Sequence, residues 1–139
     1  MACVSDRPTR EPDAAEAVLD PAVVDSLRQL GERSGRDVLG ELTGLFLSTA
    51  DAQVGVANEL LDRADLPELA RIAHSLKGSG GVIGARRLSA AAAALEQTCG
   101  RPDRSVAGGS VAESRAALAR FVDELEVFRC AVAALDLTR

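Results

Sequence analysis

The chain is poor in aromatic side chains and in histidine. Its 139 residues include three phenylalanines and one histidine, with neither tryptophan nor tyrosine. Proteins that bind nucleic acids usually combine a basic surface with aromatic side chains on which bases stack. This chain carries a net charge of −5, and its basic residues are not interleaved with aromatic ones. We therefore expect no nucleic-acid partner.

Cysteines and long apolar runs are also scarce. Cys3, Cys99 and Cys130 are odd in number and lack the CxxC or Cys/His spacing of a zinc site. The first residues contain no apolar signal-peptide core, and no run approaches the ~18 apolar residues of a membrane span. This pattern favours reduced thiols, no metal centre, no membrane partner and a cytoplasmic location.

The remaining composition favours packed helices, because alanine and leucine are abundant among the hydrophobic residues. Residues 1–18 are polar and aperiodic, so we predict a disordered leader followed by one domain over residues 19–139. Apolar steps of three and four residues predict a short helix from Asp20-Pro21 to Gly31 and four longer ones. The longer helices cover about 36–63, 65–84, 85–98 and 110–134, with a loop over 100–109. Short connections predict an all-α, antiparallel up-down four-helix bundle with the short helix added at its N-terminus. The absence of a long heptad seam predicts a monomer.

The single histidine, His74, has unusual neighbours on its predicted helix. Positions 74, 77, 78 and 81 share one side, because residues at i, i+3, i+4 and i+7 line up. That side carries an imidazole, the Lys77 ammonium and two glycines, Gly78 and Gly81. The apolar stripe of this helix follows other positions, so His74 points away from the core. A glycine inside a helix costs ~1 kcal/mol relative to alanine, which indicates that a partner approaches the backbone closely here.

These residue types suit phosphoryl transfer. Neutral imidazole is a nucleophile near neutral pH, and its attack on an activated phosphoryl group gives a phosphoramidate that can be passed on. Lys77, one turn after His74, can stabilise the phosphoryl oxygens as a flexible point charge. The sequence has no P-loop and no acidic metal-ligand cluster beside His74, so we expect no cofactor and no ATP-dependent self-phosphorylation. A partner must bring the aspartate and its Mg²⁺.

The sequence around His74 resembles a known family. The run His74-Ser75-Leu76-Lys77-Gly78-Ser79, followed by Gly84-Ala85 and Leu88, is similar to the signature of histidine-containing phosphotransfer (HPt) domains of multistep phosphorelays. Three further segments lie where the family usually has similar residues: Leu19-Asp20-Pro21, Leu45-Phe46-Leu47 and Leu95-Glu96. The resemblance therefore covers about residues 19–130. Gly80 and Gly81 depart from the commonest pattern, in which a small polar residue or alanine stands there.

The resemblance implies a helical bundle with a phosphoryl-accepting histidine at His74, an assisting lysine at Lys77 and a space-clearing glycine at Gly78. The implied partners are response-regulator receiver domains, whose aspartate accepts the phosphoryl group beside bound Mg²⁺, and a hybrid sensor histidine kinase.

Antiparallel packing after the Gly84 turn brings about residues 94–97 opposite His74. Glu96 or Gln97 is then expected to accept the second ring N–H and orient the imidazole, although two solvated polar residues are as typical of a helix surface. Arg86 and Arg87 start that helix and are candidates to meet an acidic receiver surface. The candidate docking residues are Ser75, Gly78, Gly81, Arg86 and Arg87.

The sequence leaves three functions open. The first is a relay intermediate that takes a phosphoryl group on His74 from one receiver aspartate and passes it to another. The second is a docking module that binds a receiver without carrying phosphate. The third is a detached phosphoacceptor domain of a chemotaxis-type kinase, phosphorylated by a separate ATP-binding domain.

Overall fold

The computed structural model describes residues 18–100 and 111–137. Within these ranges the chain forms five α-helices and no strand, which confirms the predicted all-α class. The helices are α1 Pro21–Ser34, α2 Val38–Asp62, α3 Leu66–Val82, α4 Arg86–Thr98 and α5 Val111–Leu137. Residues 1–17 of the predicted leader, and the predicted loop after Gly100, lie outside the described residues.

Aspartates start the first three helices. The Asp20 carboxylate accepts a hydrogen bond from the backbone N–H of Ala22 at 3.0 Å, and Asp37 accepts one from Gly40 at 3.0 Å. Asp65 does the same for Glu68 at 3.3 Å. Each carboxylate satisfies an N–H that has no partner within its own helix, and its negative charge favours the positive end of the helix dipole.

The end of α1 differs from the prediction that Gly31 terminates it. The helix continues to Ser34, and Gly35 adopts the left-handed conformation at φ +73° and donates its N–H to the Gly31 carbonyl. Gly31 is instead buried, and a Cβ built there would lie 2.6 Å from the Arg36 carbonyl oxygen. Glycine at position 31 therefore allows a close approach of backbone, while position 35 ends the helix.

The core lies between α2, α3, α4 and α5. Helix α3 packs on α2 and α4, α5 packs on α4 and α2, and α1 packs on α2. All three phenylalanines are buried, and Phe46 of α2 meets Phe128 of α5 edge to face with ring centroids 5.5 Å apart. Val18, which the prediction placed in the leader, packs against the same cluster of apolar side chains. None of the helices within the described ranges has the length and apolarity of a membrane span.

The turn between α3 and α4 sets how closely these two helices pack. Gly84 takes φ +80°, and the backbone N–H of Ala85 bonds to the Gly80 carbonyl at 2.8 Å. The Ser89 hydroxyl then donates to the Lys77 carbonyl at 2.9 Å, across the two helices. The start of α1 is fastened to the same turn, because the backbone N–H of Asp20 donates to the Gly84 carbonyl at 2.8 Å.

Candidate functional site

Helix α3 presents His74 to solvent. The buried face of the helix consists of Leu69, Ala73, Leu76 and Gly80, and the imidazole projects from the other side with 68% of its side chain exposed. Lys77, one turn later, is half-buried with 38% of its side chain exposed. The helix thus places a nucleophile and a cation on one accessible surface, as the spacing of the residues predicts.

Glu96 of α4 joins these two residues. One oxygen of its carboxylate, Oε2, lies 3.1 Å from His74 Nδ1, and the other, Oε1, lies 3.1 Å from Lys77 Nζ. Only 31% of the Glu96 side chain is exposed. The three side chains therefore form one hydrogen-bonded triad, in which a single carboxylate bridges the imidazole and the ammonium group.

The carboxylate of Glu96 determines which ring nitrogen of His74 faces it as a hydrogen-bond donor. Partial burial works to raise the pKa of Glu96, but hydrogen bonds from Lys77 and then His74 outweigh it, and the pKa lies below its ordinary value. An ionised carboxylate only accepts hydrogen bonds, so Nδ1 of His74 must carry the proton that it donates to Glu96. In neutral imidazole the other nitrogen, Nε2, then has the lone pair. The nucleophilic nitrogen is the one that Glu96 leaves unoccupied.

The neighbouring small residues leave the surface beside His74 open. Gly78 and Gly81 are exposed, and a Cβ built on either one would meet no atom within 4 Å. Ser75 is exposed next to the histidine. Packing within the chain therefore does not explain the glycines. Gly80 differs, because it is buried against α4, where a Cβ would lie 3.5 Å from Ser89 N at ordinary contact distance.

The remaining predicted site residues, Gln97, Arg86 and Arg87, have no recorded contact with the imidazole of His74. Gln97 is exposed, and Glu96 is the member of that pair that contacts His74. Arg86 donates to Asp20 Oδ2 at 3.1 and 2.9 Å, and Arg87 donates to Glu124 of α5 at 3.0 Å. Both arginines thus have carboxylate partners within the chain, at the end of α3 away from His74.

Two comparisons with known proteins bear on this site. A family model of the Hpt domain matches residues 41–129, which is well over half of the chain. The matched range contains the whole triad and all of α3 and α4. The chain belongs to the Hpt domain family. It therefore has a histidine phosphotransfer role in two-component phosphorelay signalling.

This Hpt domain is also similar to part of a curated protein. It is 39% identical over 84 residues to the sensor histidine kinase AruS of Pseudomonas aeruginosa. The match covers 60% of this chain and 8% of the kinase, so the chain spans a small fraction of that relative.

Among the described residues of this Hpt domain, no group of three or more His, Cys, Asp or Glu side chains is placed to hold a metal ion.

Sequence reasoning missed two contacts that support the site in this Hpt domain. The Ser89 bond to the Lys77 carbonyl holds α4 against the part of α3 that carries the lysine. The pairing of Asp20 with Arg86 joins α1 to the start of α4, between residues 66 positions apart. A serine three residues after a helix start gives no sequence signal for the first contact, and the second depends on long-range packing.

Proposed function

We propose that this Hpt domain is a phosphorelay intermediate that receives a phosphoryl group on Nε2 of His74 from a receiver aspartate and passes it to another receiver aspartate. The observation that carries the proposal is the hydrogen bond between Nδ1 and Glu96, which leaves Nε2 as the nucleophilic nitrogen of an exposed ring. A nucleophile held in one orientation and one tautomer is prepared for in-line attack.

The chemistry proceeds by simple displacement. The Nε2 lone pair forms a bond to phosphorus while the bond from phosphorus to the aspartyl oxygen breaks, and the electron pair of that bond remains with the aspartate. The Lys77 ammonium neutralises part of the charge on the equatorial oxygens, and Mg²⁺ held by the receiver would supply further positive charge there. The second transfer reverses these steps with a different aspartate as the nucleophile.

Lys77 can contribute without losing its place in the triad. Its ammonium group has three N–H bonds, and Glu96 accepts through one oxygen at 3.1 Å. The remaining N–H bonds are available to phosphoryl oxygens on the same helix face. Lys77 therefore acts as a cation that the carboxylate keeps beside the imidazole before the partner arrives.

The proposed partners are receiver domains, one of them in a hybrid sensor histidine kinase. The open surface at Gly78 and Gly81 supports close approach of a partner to α3. The similarity to a segment of a sensor histidine kinase supports a place in the same kind of signalling, and we propose a hybrid kinase as the source of the phosphoryl group. We propose a cytoplasmic location for this exchange, which cell fractionation tests.

We also propose that α2–α5 form an antiparallel up-and-down bundle that acts as a monomer. Two contacts per helix pair support the directions, because residue numbers rise along one helix as they fall along the other. These contacts are His74 with Glu96 and Lys77 with Ser89 for α3 and α4, Arg87 with Glu124 and Thr98 with Ser114 for α4 and α5, and Asp51 with Arg129 and Asp62 with Arg115 for α2 and α5. Because one chain supplies the whole triad, transfer needs no second copy. Sedimentation equilibrium under assay conditions tests the monomer.

The deciding experiment measures transfer from a ³²P-labelled receiver domain to the full chain and to His74→Gln, without free ATP. We expect label on the wild type alone, lost in acid and stable in base, as for phosphohistidine. Circular dichroism should show that the variant keeps its helices. Label on His74→Gln would refute the site. Binding of receivers without label would indicate a docking module, and labelling by a kinase domain that lacks a receiver would indicate the chemotaxis-type alternative.

A further inference from the structure

The charge of Glu96 exceeds what orientation of the ring requires. An amide oxygen can also accept one hydrogen bond from Nδ1, so a neutral side chain could hold the imidazole in place. The structure instead places a carboxylate there, 3.1 Å from Nδ1 and 3.1 Å from Lys77 Nζ, with 31% of its side chain exposed. A partly buried charge costs free energy unless it is paired, and the partners of this one are Lys77 and the ring N–H.

Phosphorylation changes what the ring offers to this carboxylate. When the Nε2 lone pair forms the bond to phosphorus, the ring becomes a phosphoimidazolium in which Nδ1 still carries its proton. Loss of that proton would turn Nδ1 into an acceptor. Its lone pair would then face an acceptor-only carboxylate at 3.1 Å, without a hydrogen bond between them. The contact therefore favours the protonated ring.

We propose that Glu96 keeps the Nδ1 proton on phosphorylated His74, so that the domain carries its phosphoryl group as a phosphoimidazolium. This inference rests on the proposed function. When the bond between Nε2 and phosphorus breaks toward a receiver aspartate, its electron pair returns to Nε2 and the ring is again the neutral Nδ1–H tautomer. Neither half of the cycle releases or takes up a proton. The imidazolium is also the better leaving group, because it departs as neutral imidazole.

The other charged groups around the ring agree with this role. On α3, Lys77 contacts the same carboxylate, and Arg71, one turn before His74, lies 3.7 Å from Glu68. Helix α4 contributes Glu96. On α2, the other helix packed on α3, Asp51 and Asp62 form ion pairs with Arg129 and Arg115 of α5, and Glu41 forms one with Arg36. Among the described residues, Glu96 is thus the acidic group recorded in contact with the imidazole.

The variant Glu96→Gln separates the effect of the carboxylate charge from the effect of holding the imidazole ring in one orientation. Glutamine can accept from a protonated Nδ1, and after rotation of its amide it can donate to a deprotonated one, so it does not favour either form. We expect the pH midpoint at which Nδ1 of the phosphorylated ring loses its proton to fall by about one unit in the variant. Transfer to a receiver should then be about tenfold slower than wild type near pH 8.5 and equal to it near pH 6.

The experiment charges the full chain with phosphoramidate, so that labelling needs no partner. Ring ¹⁵N chemical shifts report the Nδ1 proton between about pH 5.5 and pH 9, and stopped-flow transfer to a receiver domain is measured over the same range. Glu126→Gln on α5 is the matched control, because it removes the same charge while its partner Arg129 keeps Asp51. The control should give the wild-type midpoint and transfer profile.

The outcomes are separable from those of the proposed function. Identical midpoints for wild type and Glu96→Gln would overturn the inference. Should the variant accept no phosphoryl group, the wild-type ¹⁵N signal decides: a protonated Nδ1 above the midpoint of free phosphohistidine supports the inference, and an unshifted midpoint refutes it. If phosphoramidate charges His74 but no receiver donates to it or accepts from it, the relay function fails while the proton measurement still stands.

Discussion

Replacing Gly78 by alanine should stabilise the protein and impair its function. Gly78 is an interior residue of α3, it is exposed, and a Cβ built there meets nothing within 4 Å. Alanine in a helix interior is favoured over glycine by about 0.5–1 kcal/mol. No contact within the chain opposes this gain, so we expect the free energy of unfolding in urea to rise by about that amount.

The same methyl group occupies the surface that a receiver must approach. Forcing one extra methyl into a close contact typically costs about 1–3 kcal/mol, so kcat/KM for phosphoryl transfer should fall by about 5-fold to 150-fold. Gly55→Ala is the control. Gly55 is also exposed and open, and it follows Asp51 by one turn on the side of α2 that pairs with α5. This variant should gain similar stability and keep wild-type transfer.

Two measurements decide whether the reasoning holds. Urea denaturation gives the stability change of each variant, and stopped-flow transfer from a labelled receiver gives kcat/KM. If Gly78→Ala transfers at the wild-type rate while it is more stable, the open surface does not serve docking. If Gly55→Ala loses transfer to the same extent, the loss comes from helix stability and not from the surface beside His74.

Two further variants, Gly84→Ala and Asp20→Asn, test the turn that supports the site, and Gly35→Ala is the comparison for the first. Gly84→Ala should lower the free energy of unfolding, measured in urea, by about 2–4 kcal/mol, because φ is +80° and the new Cβ would lie 2.9 Å from Val23 Cβ. Gly35→Ala, at φ +73° in open space, should lower it by only about 1 kcal/mol. Equal losses in the two variants would refute the argument that the contact with Val23 adds to the cost. The hydrogen bond from the Ala22 N–H, and then the one from Arg86, lower the pKa of Asp20 in the folded state. The stability that the ionised Asp20 gives to the fold is therefore complete above the pKa of an unfolded aspartate, and it is lost as pH falls through the lower folded pKa. Acid titration of Asp20→Asn should therefore show a weaker pH dependence below about pH 4, and an unchanged slope would contradict this account.

The sequence was sufficient for the features that depend on local periodicity. Apolar spacing placed the helices, and the position of His74 off the apolar stripe indicated an exposed ring, as the structure has it. The choice between Glu96 and Gln97 stayed open although a signal was present. Leu95 is buried in α4, so at about 100° per residue Glu96 flanks the buried face and Gln97 turns further away.

Features that depend on contacts between residues far apart in the chain could not be predicted from the sequence. Arg86 and Arg87 remain predicted docking residues, but a charge at the start of a helix does not reveal which carboxylates of the same chain it pairs with. Their partners are Asp20 and Glu124, at 66 and 37 residues' separation. The end of α1 was missed for a similar reason. Gly31 and Gly35 are both glycines near the end of an apolar pattern, and only the packing of Arg36 against Gly31 tells them apart.

The single unoccupied nitrogen at the site has a kinetic consequence. In the proposed relay, Nδ1 is engaged by Glu96, so one atom of one ring would face the donor and the acceptor receivers in turn. The two receivers cannot be bound there together, so the relay should follow ping-pong kinetics, and an unphosphorylated donor should inhibit the acceptor competitively. Each Hpt molecule then holds one phosphoryl group at a time. In the proposed relay, the number of Hpt molecules in the cell would therefore limit how many phosphoryl groups are carried between receiver domains at one time.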